Sequence, residues 1–163
     1  MNYLTVCLAT YRNARGLERF LGTLWRYSGF CGQVLIWDNN EDLAEQQSVD
    51  SLCVRFGREK NKRHGCGYNL FGPRAIEENN CPWQELLVLA GTPFVAFFQD
   101  DMAFVPGSAG FWDKLVETAS YREVGLVAPC SNELYETQQL NRVDLPDRVV
   151  AGHVHGSAVL ARK

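Results

Sequence analysis

No apolar run in this sequence approaches the roughly 20 residues needed to cross a bilayer. The N-terminus, MNYLTVCLAT, has no basic segment before its first apolar run, so no secretory leader is expected. Charge of one sign is scarce as well. Sixteen Lys and Arg stand against 19 Asp and Glu, a net charge of −3, so bulk electrostatics does not point to nucleic acid. Six cysteines fall at 7, 31, 53, 66, 81 and 130, and none forms a C-x-x-C pair. That spacing excludes a zinc ribbon and a thioredoxin-type site. Cys7, Cys53 and Cys130 lie in apolar runs, where a free thiol acts as a small buried hydrophobe. Reduced cysteines and a cytoplasmic setting are therefore expected. Internal repeats, linkers and low-complexity tracts are also absent.

What is present suits one globular domain. The chain has 163 residues, 46% hydrophobic and 21% charged, enough to bury a sizeable core. Residues 3–9, YLTVCLA, are nearly all apolar and read as a strand covered on both faces. After TYRN, Leu17, Phe20, Leu21, Leu24 and Trp25 recur at helical spacing. Asn13 is the expected N-cap, and Ser28-Gly29 the stop. Residues 33–37, QVLIW, predict a second strand ending at Asp38-Asn39-Asn40. Residues 41–49 predict a short polar helix, and 52–56, LCVRF, a third strand. A basic, glycine-containing loop follows, GREKNKRHGCGYNLFG, and Pro73 is placed to open a helix. Residues 94–98, FVAFF, predict a fourth strand, 109–119 a helix, and 124–128 a further strand. GHVHGSAVLARK closes the chain as a last strand or hairpin. Strands alternating with helices predict an α/β fold with a mostly parallel sheet.

In such sheets ligands bind outside the carboxyl ends of the strands. Thr10-Tyr11, Asp38-Asn39 and Gln99-Asp100-Asp101 all fall at strand ends. Arg58, Lys60, Lys62, Arg63 and Arg74 follow the third strand. Carboxylates beside cations suit a nucleotide with a diphosphate. Asp38 can accept from a base N–H or a ribose hydroxyl, and Arg or Lys can neutralise phosphate. Side by side, Asp100 and Asp101 repel unless something offsets them. A hard cation that also binds phosphate oxygens would do so, and Mg²⁺ uses only one or two protein carboxylates. Taken singly, each feature is ordinary: a solvated turn, an Asx turn or an exposed basic loop.

Their order is what resembles a family. VCLATYRNA, VLIWDNNE, NKRHGCGYNLFGPRAI, FVAFFQDDMAFVPG and VHGSAVLARK resemble, in sequence order, the motifs of nucleotide-sugar-dependent glycosyltransferases of the GT-A fold. The similarity is greatest to the large inverting group called family two. The resemblance covers nearly the whole chain and implies one GT-A-like domain over residues 1–163. Its expected architecture is a Rossmann-like three-layer sandwich. It implies transfer of a sugar from a nucleotide-diphosphate donor, a UDP- or dTDP-sugar in most such enzymes, to a glycan or other hydroxyl acceptor. Mn²⁺ or Mg²⁺ would be the cofactor. Thr10 and Tyr11 would line the base pocket, Asp38 would contact the base, and Arg74 would approach the diphosphate. Gln99 and Asp100 would face the ribose or sugar, and Asp101 would ligate the metal.

The pattern departs from the family in three places. Arg12 separates Tyr11 from Asn13, which the family usually has adjacent. Gln99 stands where a first Asp is common. The acidic motif that usually supplies the general base lies beyond the last strand, about where this sequence ends at Arg162-Lys163, and Glu41-Asp42, beside the second strand, is in the wrong place for it. Either the sequence is a donor-binding core of a larger enzyme, or another residue serves, with Glu133 and Glu136 as candidates. His153 and His155 form an H-x-H pair that would share one face of a strand. His155 is the preferred late metal ligand, an ordinary hydrogen-bonding pair being the alternative. Trp112 is open between stacking on an acceptor sugar and packing in the core. Two further functions stay open: a nucleotide-binding module without activity, and a nucleotidyltransferase. ATYRNARG lacks the glycine-rich loop expected of the latter.

Overall fold

The computed structural model describes residues 3–64, 68–70, 83–122, 124–128, 143–144, 149–150 and 158–163; side chains are described for 3–58, 83–122, 124–128 and 158–163, residue 123 apart. In chain order the elements are β1 (Leu4–Thr10), α1 (Ala14–Ser28), β2 (Gln33–Asp38), α2 (Leu43–His64), β3 (Tyr68–Leu70) and α3 (Trp83–Leu89). Then come β4 (Phe94–Gln99), α4 (Phe111–Ala119), β5 (Leu126–Val127), β6 (Val143–Asp144), β7 (Val149–Val150) and β8 (Ala158–Arg162). Six strands form one sheet in the order β3-β2-β1-β4-β8-β5, and β6 and β7 form a separate pair. β3, β2, β1 and β4 run parallel, while β8 is antiparallel to both its neighbours.

Alternation along the central strands divides the core between two faces. Leu4, Val6 and Leu8 of β1 point to one side with Val34 and Ile36 of β2 and Ala96 and Phe98 of β4. The helical stripe Leu17, Phe20, Leu21 and Leu24 of α1 covers them, joined by Val49, Cys53 and Phe56 of α2 and Trp112, Leu115 and Ala119 of α4. On the other side Cys7, Leu35, Trp37 and Val95 pack against Leu86 of α3 and Ala90 just beyond it. Trp83 meets Phe97 edge-on at 4.5 Å between ring centres. The result is the expected three-layer α/β sandwich.

Aromatic rings fill the end of the larger core. Phe98 and Phe104 each lie close to Trp112, at 5.7 and 5.6 Å between ring centres. Such pairs contribute about 0.5–1.5 kcal/mol each beyond their burial. The Trp112 indole N–H donates to Ser28 Oγ at 2.9 Å, and the residue is 1% exposed. Trp112 is therefore a core residue and is not available to stack on a sugar. Its polar edge is satisfied by the last residue of α1, so α1 and α4 are tied as well as packed.

Two expectations fail between residues 41 and 64. The short helix predicted over 41–49 does not stop there, and LCVRF at 52–56 is not a strand. Both lie in one helix, α2, which also takes in the first part of the predicted basic loop. Buried Val49, Cys53 and Phe56 fall at helical spacing, whereas Val54 is 51% exposed. The third strand is instead the short β3, which pairs with β2 at the sheet edge. The helix expected from Pro73 lies outside the described residues. The strand expected over 124–128 is reduced to Leu126–Val127.

Candidate functional site

Parallel pairing brings the strand ends together. Thr10 lies opposite Asp38, and Ala9 opposite Gln99. β1 sits between β2 and β4: the chain steps outward from β1 to β2 and β3 on one side and then crosses back to add β4 on the other. The crevice beyond the carboxyl end of β1 is the switch point at which open α/β sheets bind ligands. Thr10, Asp38, Gln99, Asp100 and Asp101 thus share one edge of the sheet, as the sequence predicts.

Asp100 is held firmly by its own chain. Thr10 Oγ1 donates to its Oδ2 at 2.6 Å, and Asn13 Nδ2 donates to its Oδ1 at 3.0 Å. Asn13 works in two directions. Its Oδ1 accepts from the Gly16 N–H at 3.0 Å and so caps α1, as expected from the sequence. A methyl group at position 16 would lie 2.2 Å from Asn13 Nδ2, so the missing side chain of Gly16 makes room for this amide.

Asp101 differs. Its carboxylate is exposed and makes no hydrogen bond or ion pair among the described residues, while its main-chain carbonyl accepts from the Arg19 guanidinium of α1. The main chain is anchored and the charge is left in solvent. Gln99 is also exposed.

On the other side of Thr10, Asp38 is only 5% exposed. Its Oδ1 accepts both the main-chain N–H and the side-chain amide of Asn40, at 2.9 and 2.7 Å. Asn40 Oδ1 then accepts the Arg12 N–H at 2.5 Å, and its carbonyl accepts from Gln46 of α2 at 2.6 Å. The Asn39 N–H donates to Thr10 O at 2.9 Å. These bonds join the turns after β1 and β2 into one unit. They place Arg12 in the left-handed region, φ 49, with its guanidinium 5.0 Å from the centre of the Tyr11 ring. Tyr11 itself is 41% exposed, at the rim of the crevice.

Arg74, Glu133, Glu136, His153 and His155 lie outside the described residues, as do Lys60, Lys62 and Arg63 as side chains. Arg58 is exposed on α2 and does not follow a strand. Sequence reasoning missed Asn40, Gln46 and Gly16, and saw only the capping half of Asn13. A hollow of about 280 Å³ lies between α1 and α2, lined by Arg15, Glu18, Ser48 and Arg55 among others. None of the strand-end residues lines it, and Arg55 is engaged by Glu18 at 2.7 Å, so the crevice remains the candidate site.

The sheet order and the antiparallel strand next to β4 match the nucleotide-binding fold of GT-A-type glycosyltransferases. No protein-family profile matches the sequence, and no curated protein matches it. Solved structures do. The mannosyltransferase PcManGT from Pyrobaculum calidifontis, in complex with GDP-Man and Mn²⁺, superimposes with a TM-score of 0.63 at 17% identity, over 79% of this chain and 35% of that one. S. aureus TarS 1–349, in complex with UDP-GlcNAc, gives 0.58 at 12% identity, over 96% of this chain and 44% of that one. A 4-diphosphocytidyl-2C-methyl-D-erythritol synthase from Anaerococcus prevotii gives 0.53 at 8% identity, over 99% and 70%. The chain therefore spans less than half the length of each of the first two. Among the described residues no helix is long and apolar enough to cross a membrane.

The residues at the crevice fit a divalent cation of the kind the fold implies. Asp101 offers a solvated carboxylate with no protein partner among the described residues, whereas both oxygens of Asp100 already accept protein donors. No group of three His, Cys, Asp or Glu among the described residues forms a metal site by itself. A cation here would draw its remaining ligands from phosphate and water, as Mg²⁺ commonly does.

Proposed function

We propose that this chain is a glycosyltransferase, or the donor-binding core of one. It would move a sugar from a nucleotide-diphosphate donor to an acceptor hydroxyl with a divalent metal. The observation that carries this reading is the contrast within the Asp100-Asp101 pair. One carboxylate is fixed by Thr10 and Asn13, the other is exposed with no partner among the described residues, and both lie at the switch point of a GT-A sheet.

In this reading the nucleotide base lies over the β1–β2 turns. The main chain at Thr10-Tyr11 and the carboxylate of Asp38 recognise it, with the Tyr11 ring at the rim. Asp38 is pre-oriented by Asn40, so its free lone pairs meet a base N–H without reorganising. Gln99 and Asp100 lie towards the ribose or sugar. Asp101 holds Mn²⁺ or Mg²⁺, and a bound cation would stabilise the negative charge of the departing diphosphate. Arg74 is proposed for the diphosphate and His155 as a late metal ligand. β8 begins at Ala158, opposite Phe98, so the chain enters this strand at the edge where β4 ends. Glu133 and Glu136 remain the candidates for a base that deprotonates the acceptor.

The test is thermal unfolding with UDP or GDP, each with and without MnCl₂. Saturation near 100 times Kd stabilises by about 2.7 kcal/mol, a rise of roughly 5–10 °C for a chain of this size. Asp101→Ala is expected to abolish the Mn²⁺-dependent part. A null result with every nucleoside diphosphate would sink the reading. Binding without donor hydrolysis or transfer would favour an inactive nucleotide-binding module instead. The likeness to a synthase of diphosphocytidyl compounds keeps a nucleotidyltransferase as a second reading. Against it, the turn after β1 has no glycine-rich loop, and Gly16 lies buried within α1.

A further inference from the structure

The bonds around Asp100 assign a role to a residue outside the proposed ligand contacts. We propose that Asn13 is a positioning residue for the metal-binding carboxylate, acting through Asp100, whose side chain it orients before a donor arrives. This inference rests on the proposed function of the same crevice and specifies how that site is kept in place.

Three independent anchors tie the end of β4 to β1 and α1. The Asn13 amide donates to Asp100 Oδ1 at 3.0 Å while its oxygen caps the helix through Gly16 N–H at 3.0 Å. Thr10 Oγ1 donates to Asp100 Oδ2 at 2.6 Å. One residue on, the Arg19 guanidinium, a turn and a half further along α1, donates to the main-chain carbonyl of Asp101. The residue before Asp101 is therefore held by Thr10 and the cap of α1, and the main chain of Asp101 by Arg19, while its carboxylate has no partner among the described residues. Each oxygen of Asp100 carries a donor, so the residue is oriented before any ligand arrives. Side chains that reach a ligand must have rotamers fixed by a supporting layer. Here that layer is the cap of a helix, and the room for it is the absent side chain of Gly16.

A purely structural cap and a positioning residue make different predictions. Asn13→Asp retains the size of the side chain and an equally good cap, but it replaces the amide donor with a carboxylate facing Asp100. The double exchange N13D/D100N restores every bond with the polarity between the two side chains reversed. The new amide at position 100 would donate to the new carboxylate at position 13, which would still cap α1 through the Gly16 N–H. Thr10 would donate to the amide oxygen at position 100.

The experiment is calorimetric titration of UDP and of GDP into each variant, in MnCl₂ and in EDTA. N13D is expected to weaken Mn²⁺-dependent binding about tenfold, the scale of a lost charge-assisted bond, and to leave binding in EDTA unchanged. The exchange variant is expected to recover to within about threefold of the wild type, since the bond between the two touching residues is remade and their coupling offsets the single losses. Thr10→Val, which leaves the cap intact and removes the other donor, is expected to weaken binding in MnCl₂ as well; this arm remains if N13D does not fold. If N13D binds like the wild type, or the exchange stays as weak as N13D, the positioning role is overturned while the proposed function stands. Wild-type protein that binds neither nucleotide with Mn²⁺ overturns both.

Discussion

Arg12 has the one positive φ found among non-glycine residues of the described chain, 49°. An L side chain there crowds the following carbonyl at a cost of about 1–2 kcal/mol, which asparagine tolerates best after glycine. Its N–H bond to Asn40 holds it in place, and its ring contact with exposed Tyr11 returns only a fraction of the cost. Arg12→Asn is therefore expected to stabilise the protein by about 0.5 kcal/mol or more, a rise of roughly 2 °C. Differential scanning calorimetry checks it, and a lower midpoint would show that the arginine side chain contributes more than its backbone costs. At this scale the sequence was informative about Thr10, Asp38, Asp100 and Asp101, because polar residues at the ends of apolar strands must meet at one edge. It was less informative about how two adjacent carboxylates coexist. Asp100 is stabilised by two protein donors and Asp101 by solvent, and those donors come from residues 90 and 87 positions away. Nothing local in the sequence marks such distant partners.

Between the strands, α2 shows where local pattern misleads. LCVRF has the β-branched and aromatic character of a short strand, and five residues are too few for the two periods to separate. Only a longer frame, Val49-Cys53-Phe56, shows the helix. α1 was legible because its apolar stripe, its cap and its terminal glycine agree, Gly29 being in the left-handed region at φ 66. The two readings of 52–56 put Val54 and Phe56 in different company. In a strand they share a face; in α2 Val54 is 51% exposed and Phe56 is 9% exposed, stacked 5.5 Å from Trp25. Phe56→Ala is expected to cost about 3 kcal/mol, and Val54→Asp to stay within about 0.5 kcal/mol of the wild type. Urea unfolding of the two variants decides this, and equal losses would contradict the helix.

For the whole molecule, the two-sided burial of the sheet has a consequence in titration. Cys7 lies in the central strand and Cys53 on the helix layer, both free thiols and both buried. Burial pushes each thiol from 9.0 up to about 12, and for Cys53 the nearby charges of Asp50 and Asp38 add to the rise. In the unfolded chain both thiols would ionise near 9.0. Between that pH and about 12 the folded state retains protons that the unfolded state has released, so stability must fall as pH rises through this window. Below it the thiols bind a proton in both states and add no slope. The double variant Cys7→Ala/Cys53→Ala is expected to show a shallower alkaline decline than the wild type, read as urea midpoints against pH. Taking the difference between the two proteins removes the contribution of tyrosine and lysine titration. The same burial makes both thiols inert to an exposed-thiol reagent near pH ~8, where only thiolate reacts. They should then label together, at the rate of global opening, because Cys7 is enclosed by β2 and β4 and Cys53 by the α1–α2 layer. If Cys53 labels much faster than Cys7, α2 opens separately from the sheet. The Gln46 link to the Asp38 turn would then open with it, and the Asp38 side of the crevice would loosen before the Asp100-Asp101 side.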